Sequence, residues 1–172
     1  MVEVLEREQR ELAEALRDIA NALNSALDLP AVLDQVLNSL DRVIPHDLAE
    51  ILLIDQETEL AHVVGSHSQD PALQAELADQ ALPIRTTAYL HTMLTTRQTL
   101  IVPDTRVESG IRRSHDAYWR GFLGVPIVLD DQVIGFLELG SRQKGFFTEG
   151  HAARLEAFAE QVAIAINHAR LV

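Results

Sequence analysis

The sequence predicts an α+β domain built on a largely antiparallel sheet. Two pairs of alternating apolar segments, each joined by a short polar turn, read as hairpins. Long amphipathic helices at both ends of the 172-residue chain can cover one face of that sheet.

Residues 2–27 read as a long helix. Val2, Leu5, Leu12, Leu16, Ile19, Leu23 and Ala26 lie on a heptad seam interrupted by Gln9, among Glu, Arg, Gln and Ala, which favour helix. So narrow a seam suits a two-helix contact. Asp28-Leu29-Pro30 marks a break and a capped restart, and Leu33, Val36, Leu37, Leu40 and Ile44 give a second amphipathic helix stopped by Pro45. Leu48–Asp55 and Glu59–His67 form the first hairpin, around Gln56-Glu57-Thr58. Residues 71–81 are Ala-rich and read as helix, and Thr86 or Thr87 caps a short helix to about Thr95. Thr99–Val102 is a short strand ended by Pro103-Asp104. Residues 105–120 have no clean period and read as a long loop. Phe122–Leu129 and Gln132–Ser141 form the second hairpin, around Asp130-Asp131, and Phe146-Phe147 reads as a short edge strand. Thr148 caps a final helix whose stripe (Leu155, Phe158, Ala159, Val162, Ala163, Ile166, Ala169) is wide enough to meet both a sheet and another helix. That helix reaches the last residue without a stop signal, which suggests that it continues in a longer protein. The expected division is a signalling and dimerisation helix over 1–27 and a globular domain over 28–172.

Composition narrows the chemistry. With 47% hydrophobic and 23% charged residues the chain can bury a core. No apolar run approaches the ~18 residues of a membrane helix, and no signal-peptide pattern opens the chain. A net charge of −12, from 14 basic and 26 acidic residues, disfavours nucleic acid and anionic membranes as partners. The absence of cysteine removes disulfides, thiolate zinc sites and thiol nucleophiles, and is compatible with a cytoplasmic setting. The seven histidines are His46, His62, His67, His91, His115, His151 and His168. They show no ligating pair on a helix; His62 and His67, five apart on a regular strand, face opposite sides. Neither haem nor another metal is expected. No nucleophile–base–orienter set, phosphate loop or nucleotide fingerprint is present, so the expectation is a chain without catalysis.

Several stretches resemble one family. "IANALNSALDLPAVLDQVLNSL" from Ile19, "VIPHDLAEILLID" from Val43, "TTRQTLIVPDTR" from Thr95 and "GFLGVPIVLDDQVIGFLELG" from Gly121, with the closing helix, are similar in order and content to GAF domains, sensor modules of signalling proteins. The resemblance implies a six-stranded antiparallel sheet, terminal helices on one face, and on the other a ligand pocket roofed by the middle helices and the 104–120 loop. It also implies a homodimer through the terminal helices, which pass a ligand-dependent shift to an output domain such as a histidine kinase or diguanylate cyclase. The Asn-Lys set of the cyclic-nucleotide branch is absent. Without cysteine, neither covalent bilin attachment nor the methionine-sulfoxide-reductase chemistry of other branches is open.

Glu50 shares a strand face with Leu48, Leu52 and Ile54; Glu138 shares one with Ile134, Phe136 and Gly140. The resemblance puts this face in the pocket, on neighbouring strands, where two carboxylates would bind a cation or amine; the alternative is a wetter face with both solvated or paired to arginine. His115, Tyr118, Trp119 and Arg120 cluster before the fourth strand. Amphipathic aromatics there suit a pocket roof, or Trp119 simply plugs the sheet face. Arg106, Arg112 and Arg113 could clamp an anion or pair locally with acids. The expected ligand-binding set is Glu50, Leu52, Arg106, His115, Tyr118, Trp119, Phe122, Phe136 and Glu138. The expected dimer seam is Leu5, Leu12, Leu16, Ile19, Leu23, Val162 and Ile166. The leading reading is a sensor whose unknown small-molecule ligand shifts a population between two arrangements. A structural homodimerisation module is the alternative, because Phe122, Phe136, Leu52 and Trp119 are bulky enough to fill the pocket themselves. An enzyme of unknown type is the third.

Overall fold

The computed structural model describes residues 2–24, 28–78, 80–107 and 119–171. Ala26, Arg112, Arg113, His115 and Tyr118 lie outside the described residues, as does the side chain of Leu23. The elements are α1 (Val2–Asn24), α2 (Leu29–Val43), β1 (Leu48–Asp55), β2 (Leu60–Ser68), α3 (Pro71–Leu77), β3 (Ala81–Pro83), α4 (Ala88–Thr96), β4 (Leu100–Val102), β5 (Gly121–Leu129), β6 (Gln132–Ser141) and α5 (Glu149–Leu171). Six strands form one antiparallel sheet in the order β3-β2-β1-β6-β5-β4.

Local chemistry sets the boundaries. Asp28 accepts from the Ala31 amide at 3.1 Å to start α2, and Pro45 stops it. Asp70 accepts from the Ala72 and Leu73 amides to start α3. In the β1–β2 turn Asp55 accepts from the Glu57 and Thr58 amides. The β5–β6 hairpin closes through Asp130 and Asp131, both left-handed (φ 52° and 62°), the backbone of a two-residue turn whose twist matches the strands.

The sheet has a core on each face. On one side α2 and α5 cover Ala49, Ile51, Leu123, Val125, Leu137 and Leu139, and α1 packs on those two helices with Ala15 and Ile19 in the same core. On the other, α3, α4 and Trp119 cover Leu48, Leu52, Ala61, Val63, Phe122 and Phe136. The two hairpins join through β1 and β6, where Leu52 pairs with Phe136 and Leu53 with Gly135. A Cβ on Gly135 would sit 2.2 Å from the Leu52 carbonyl oxygen, so only glycine lets the strands meet there.

The structure corrects several expectations. Helix 71–81 ends at Leu77, because the chain then turns into β3 and pairs with β2, with the Val63 amide bonding the Gln80 carbonyl; tertiary pairing overrides the helix propensity of the alanines. Phe146-Phe147 is not a strand. The two rings pack edge to face at 5.3 Å and Phe147 enters the helix-side core. Two bulges reverse the strand alternation. Between the Ile127–Gly135 and Val128–Val133 pairs, Ile134 is the extra residue, so it points to the helix side and Val133 takes the place expected for it. Val64 is the extra residue between the Ile51–Gly65 and Leu52–Val63 pairs. It puts His62 (opposite Leu53) and His67 (opposite Ala49) on the same face; five residues along a strand still hold them about 16 Å apart.

The expected dimer seam is partly consumed inside the chain. Ile19, Val162 and Ile166 are buried in the helix-side core, and Leu12 and Leu16 pack against it. Leu5 is exposed, as are Val2 and Val4. The seam pattern was met by α2 and α5 of the same chain, because an intramolecular two-helix contact asks for the same spacing as an intermolecular one. Arg154 of α5 ties the layer together. It donates to Glu8 of α1 at 2.9 Å and to the Val43 carbonyl at the end of α2 at 3.0 Å. Among the described residues no helix is long and apolar enough to cross a membrane.

If α1 is an integral wall of the core, Ile19→Ala will lower unfolding free energy by about 2–4 kcal/mol in urea titrations, as a buried aliphatic truncation does. A loss below about 0.5 kcal/mol would show that α1 only rests on the domain.

Candidate functional site

The face opposite the terminal helices carries the chemistry. The register aligns one row across the sheet: Ser66 of β2, Glu50 of β1, Glu138 of β6, Gly124 of β5 and Leu100 of β4. Glu50 and Glu138 are direct cross-strand partners, and directly opposed side chains lie about 5 Å apart at Cβ. Both are completely buried, on the face that carries Leu52, Phe122 and Phe136. An ionised carboxylate only accepts hydrogen bonds, and burying one is costly unless donors or positive charge meet it. Neither glutamate is without a partner.

Aromatic side chains stand beside the row. Phe122 packs edge to face on Tyr89, with centroids 5.3 Å apart, and tilted against Trp119 at 6.0 Å. Gly124, next to Glu138, makes room for them: a Cβ there would come within 2.8 Å of the Phe122 ring and 3.0 Å of Met93 Sδ. Of the expected binding residues, the structure therefore brings together Glu50, Leu52, Trp119, Phe122, Phe136 and Glu138. Arg106 is not among them. It is exposed on the surface, and its backbone amide donates to Asp104 at 3.0 Å. His115 and Tyr118 lie outside the described residues. Sequence reading missed Tyr89, Met93 and Gly124. The glycine inside the apolar string "GFLGVPIVL" was the available signal, since a strand-interior glycine marks a close approach. Tyr89 and Met93, one helical turn apart on α4, gave only an ordinary apolar stripe.

Trp119 is held by a clasp at the base of the long connection. Arg120 donates to both carboxylate oxygens of Asp104, at 2.8 and 3.2 Å, and the Thr105 amide bonds the Arg120 carbonyl at 2.9 Å. The guanidinium, helped by the Arg106 amide, holds the Asp104 carboxyl down at about 2.

A second polar group lies where α2 meets the strands. A cavity of about 290 Å³ is lined by Asn38, Asp41, His46, Asp47, His67 and Gln74, with Ser68 and Gln69. Its acid and base satisfy each other: the buried His46 donates from Nδ1 to the Ile44 carbonyl at 2.6 Å, and its Nε2 lies 3.0 Å from Asp41. The bond to His46 keeps Asp41 below the usual carboxylate range, against the opposing effect of burial. Among the described residues no group of three or more His, Asp or Glu side chains is placed to hold a metal ion.

Residues 26–167 match the family model described as a GAF domain. No curated protein sequence matched the chain. Among solved structures, the GAF domain of a phosphoenolpyruvate-protein phosphotransferase from Coxiella burnetii is similar with a TM-score of 0.80 and 19% identity, covering 94% of this chain and 96% of that one. The corresponding domain from Acinetobacter gives 0.76 and 20%, covering 93% and 95%. The free methionine-R-sulfoxide reductase of Neisseria meningitidis, solved with its substrate, gives 0.77 and 18%, covering 93% and 90%. At these identities the likeness is one of fold.

The clasp predicts a pH response. A carboxyl depressed in the folded chain stabilises it above the unfolded value of 3.8, and the effect is lost as the pH falls through about 2. Asp104→Asn should therefore melt lower than the native chain at pH 7, with the difference shrinking between pH 4 and 2 in a calorimetric series. An equal difference at pH 7 and pH 2 would refute the assignment.

Proposed function

Because the chain belongs to the GAF domain family, we propose that it is a non-catalytic sensory module that takes a small molecule on the face floored by Glu50 and Glu138. The observation that carries this reading is the pair of opposed, completely buried carboxylates among Leu52, Phe122 and Phe136. Well-packed apolar residues of similar volume serve a purely structural core as well or better, so retained acids favour a recognition role. Carboxyl groups beside Phe122, Trp119 and Tyr89 suit a flat or aliphatic ligand bearing an amine or other strong donor. The cysteine-free sequence keeps the module away from thiol chemistry and accords with a cytoplasmic setting.

Signal output would run through the terminal helices to a kinase- or cyclase-type domain, by a population shift between two arrangements. A homodimer in this reading uses the exposed first turns of α1, with Val2, Val4 and Leu5, and Ile164 of α5, since Ile19, Val162 and Ile166 are engaged within the chain. A second reading has an observation of its own: Leu52, Trp119, Phe122 and Phe136 are all buried to within 1% and occupy the chamber, which favours a homodimerisation module without ligand.

Native mass spectrometry of the purified protein separates the two. The sensor reading expects a dimer carrying an extra small-molecule mass, and a Glu50→Gln/Glu138→Gln variant that loses it, because a hydrogen bond to a charged group contributes about 1.5–3 kcal/mol. A bare dimer, with the double variant equally or more stable, would favour the structural reading.

A further inference from the structure

The start of α5 is closed by a reciprocal bond in which a histidine stands where glutamate or glutamine usually stands. The Thr148 hydroxyl accepts from the His151 amide at 3.2 Å, and His151 Nδ1 accepts from the Thr148 amide at 3.0 Å. This is a capping box built with an imidazole at the third helical position. An amide can only donate, so Nδ1 carries no proton in this arrangement, and the ring's hydrogen sits on Nε2. The ring is held there by its neighbours: Phe146 stacks on it with centroids 5.5 Å apart and 9° between planes, and Phe147 meets it edge-on at 6.0 Å.

We propose that His151 is a pH-sensitive cap: taking up a proton at Nδ1 releases the Thr148 amide and frays the first turn of α5, beside the Arg154 contacts to α1 and α2. A protonated Nδ1 turns the bond into a donor facing a donor. The resulting cation also sits at a helix N-terminus, where the aligned peptide dipoles disfavour positive charge. Among the described residues the charged groups facing His151 are Arg154 of α5 and Glu8 of α1; the 146–148 segment contributes two phenyl rings and a hydroxyl but no charge. Burial, chiefly, and the Arg154 charge hold the ring below its ordinary value of 6.5, while Glu8 opposes them. The unfolded chain therefore takes the proton first. Stabilisation from this cap is complete above pH 6.5 and declines as the pH falls below it. Nothing in this device depends on the distal chamber or its ligand.

Amide exchange followed by NMR tests it. Protection of the Thr148 amide, corrected for intrinsic exchange, should fall about fivefold between pH 7.5 and 5.5, the size of one lost cap. In His151→Gln, which keeps the box without titrating, protection should be the same at both pH values. The ring nitrogen shifts of the native protein should report an unprotonated Nδ1 at pH 7.5, an observation that stands even if the variant folds poorly. Unchanged protection in the native chain, an equal fall in the variant, or a protonated Nδ1 at pH 7.5 would each overturn the proposal.

Discussion

The pairing of β1 with β6 is the constraint on which the rest depends. Each hairpin is local, but neither covers both its faces alone, and a lone two-stranded ribbon is marginal in water. Joining Leu48–Leu53 to Gly135–Gly140 turns two ribbons into one sheet and decides which side chain meets which layer. Ala49 and Ile51 go to the terminal helices with Leu139 and Leu137, and Leu48, Glu50 and Leu52 go to the opposite core with Gly140, Glu138 and Phe136. A slip of β1 by one residue would turn Glu50 into the helix layer, part it from Glu138 and send Ala49 and Ile51 to the opposite core. Gly135 guards that register, since any side chain would collide with the Leu52 carbonyl.

That pairing gives the two faces unlike tasks. The helix side is a largely aliphatic layer with Phe158 and Phe147 among its members and, among the described residues, no buried carboxylate. The opposite side carries Trp119, Tyr89, Glu50 and Glu138, all buried. Polar chemistry is thus insulated by a sheet from the helices that would carry its consequences. The strands that carry Gly124 and Glu138 of that row, β5 and β6, are also the ones whose alternate residues contact α5.

Much of this was legible because the governing patterns are short-range. Alternation with a turn of two aspartates gave β5 and β6, and charges inside apolar strands singled out Glu50 and Glu138. The bulges at Val64 and Ile134 were not legible, because an inserted residue keeps the same apolar composition and only reverses its phase. β3 was hidden because Ala81 and Leu82 suit helix or strand equally, and the free edge of β2 decided the matter. The seam of α1 was visible, but its partner was not, since heptad spacing is indifferent to whether the facing helix belongs to the same chain. The Asp104–Arg120 clasp spans sixteen residues with no periodicity to betray it.

Arg154 has a mechanical consequence. One guanidinium grips a carboxylate on the first helix and the terminal carbonyl of the second from its seat on the last. Sliding either of those helices along α5 must break a charge-assisted contact before it can gain another. Tension on any one of these helices is therefore shared with the other two at this contact, and the Arg42–Asp18 pair adds a second tie between α1 and α2.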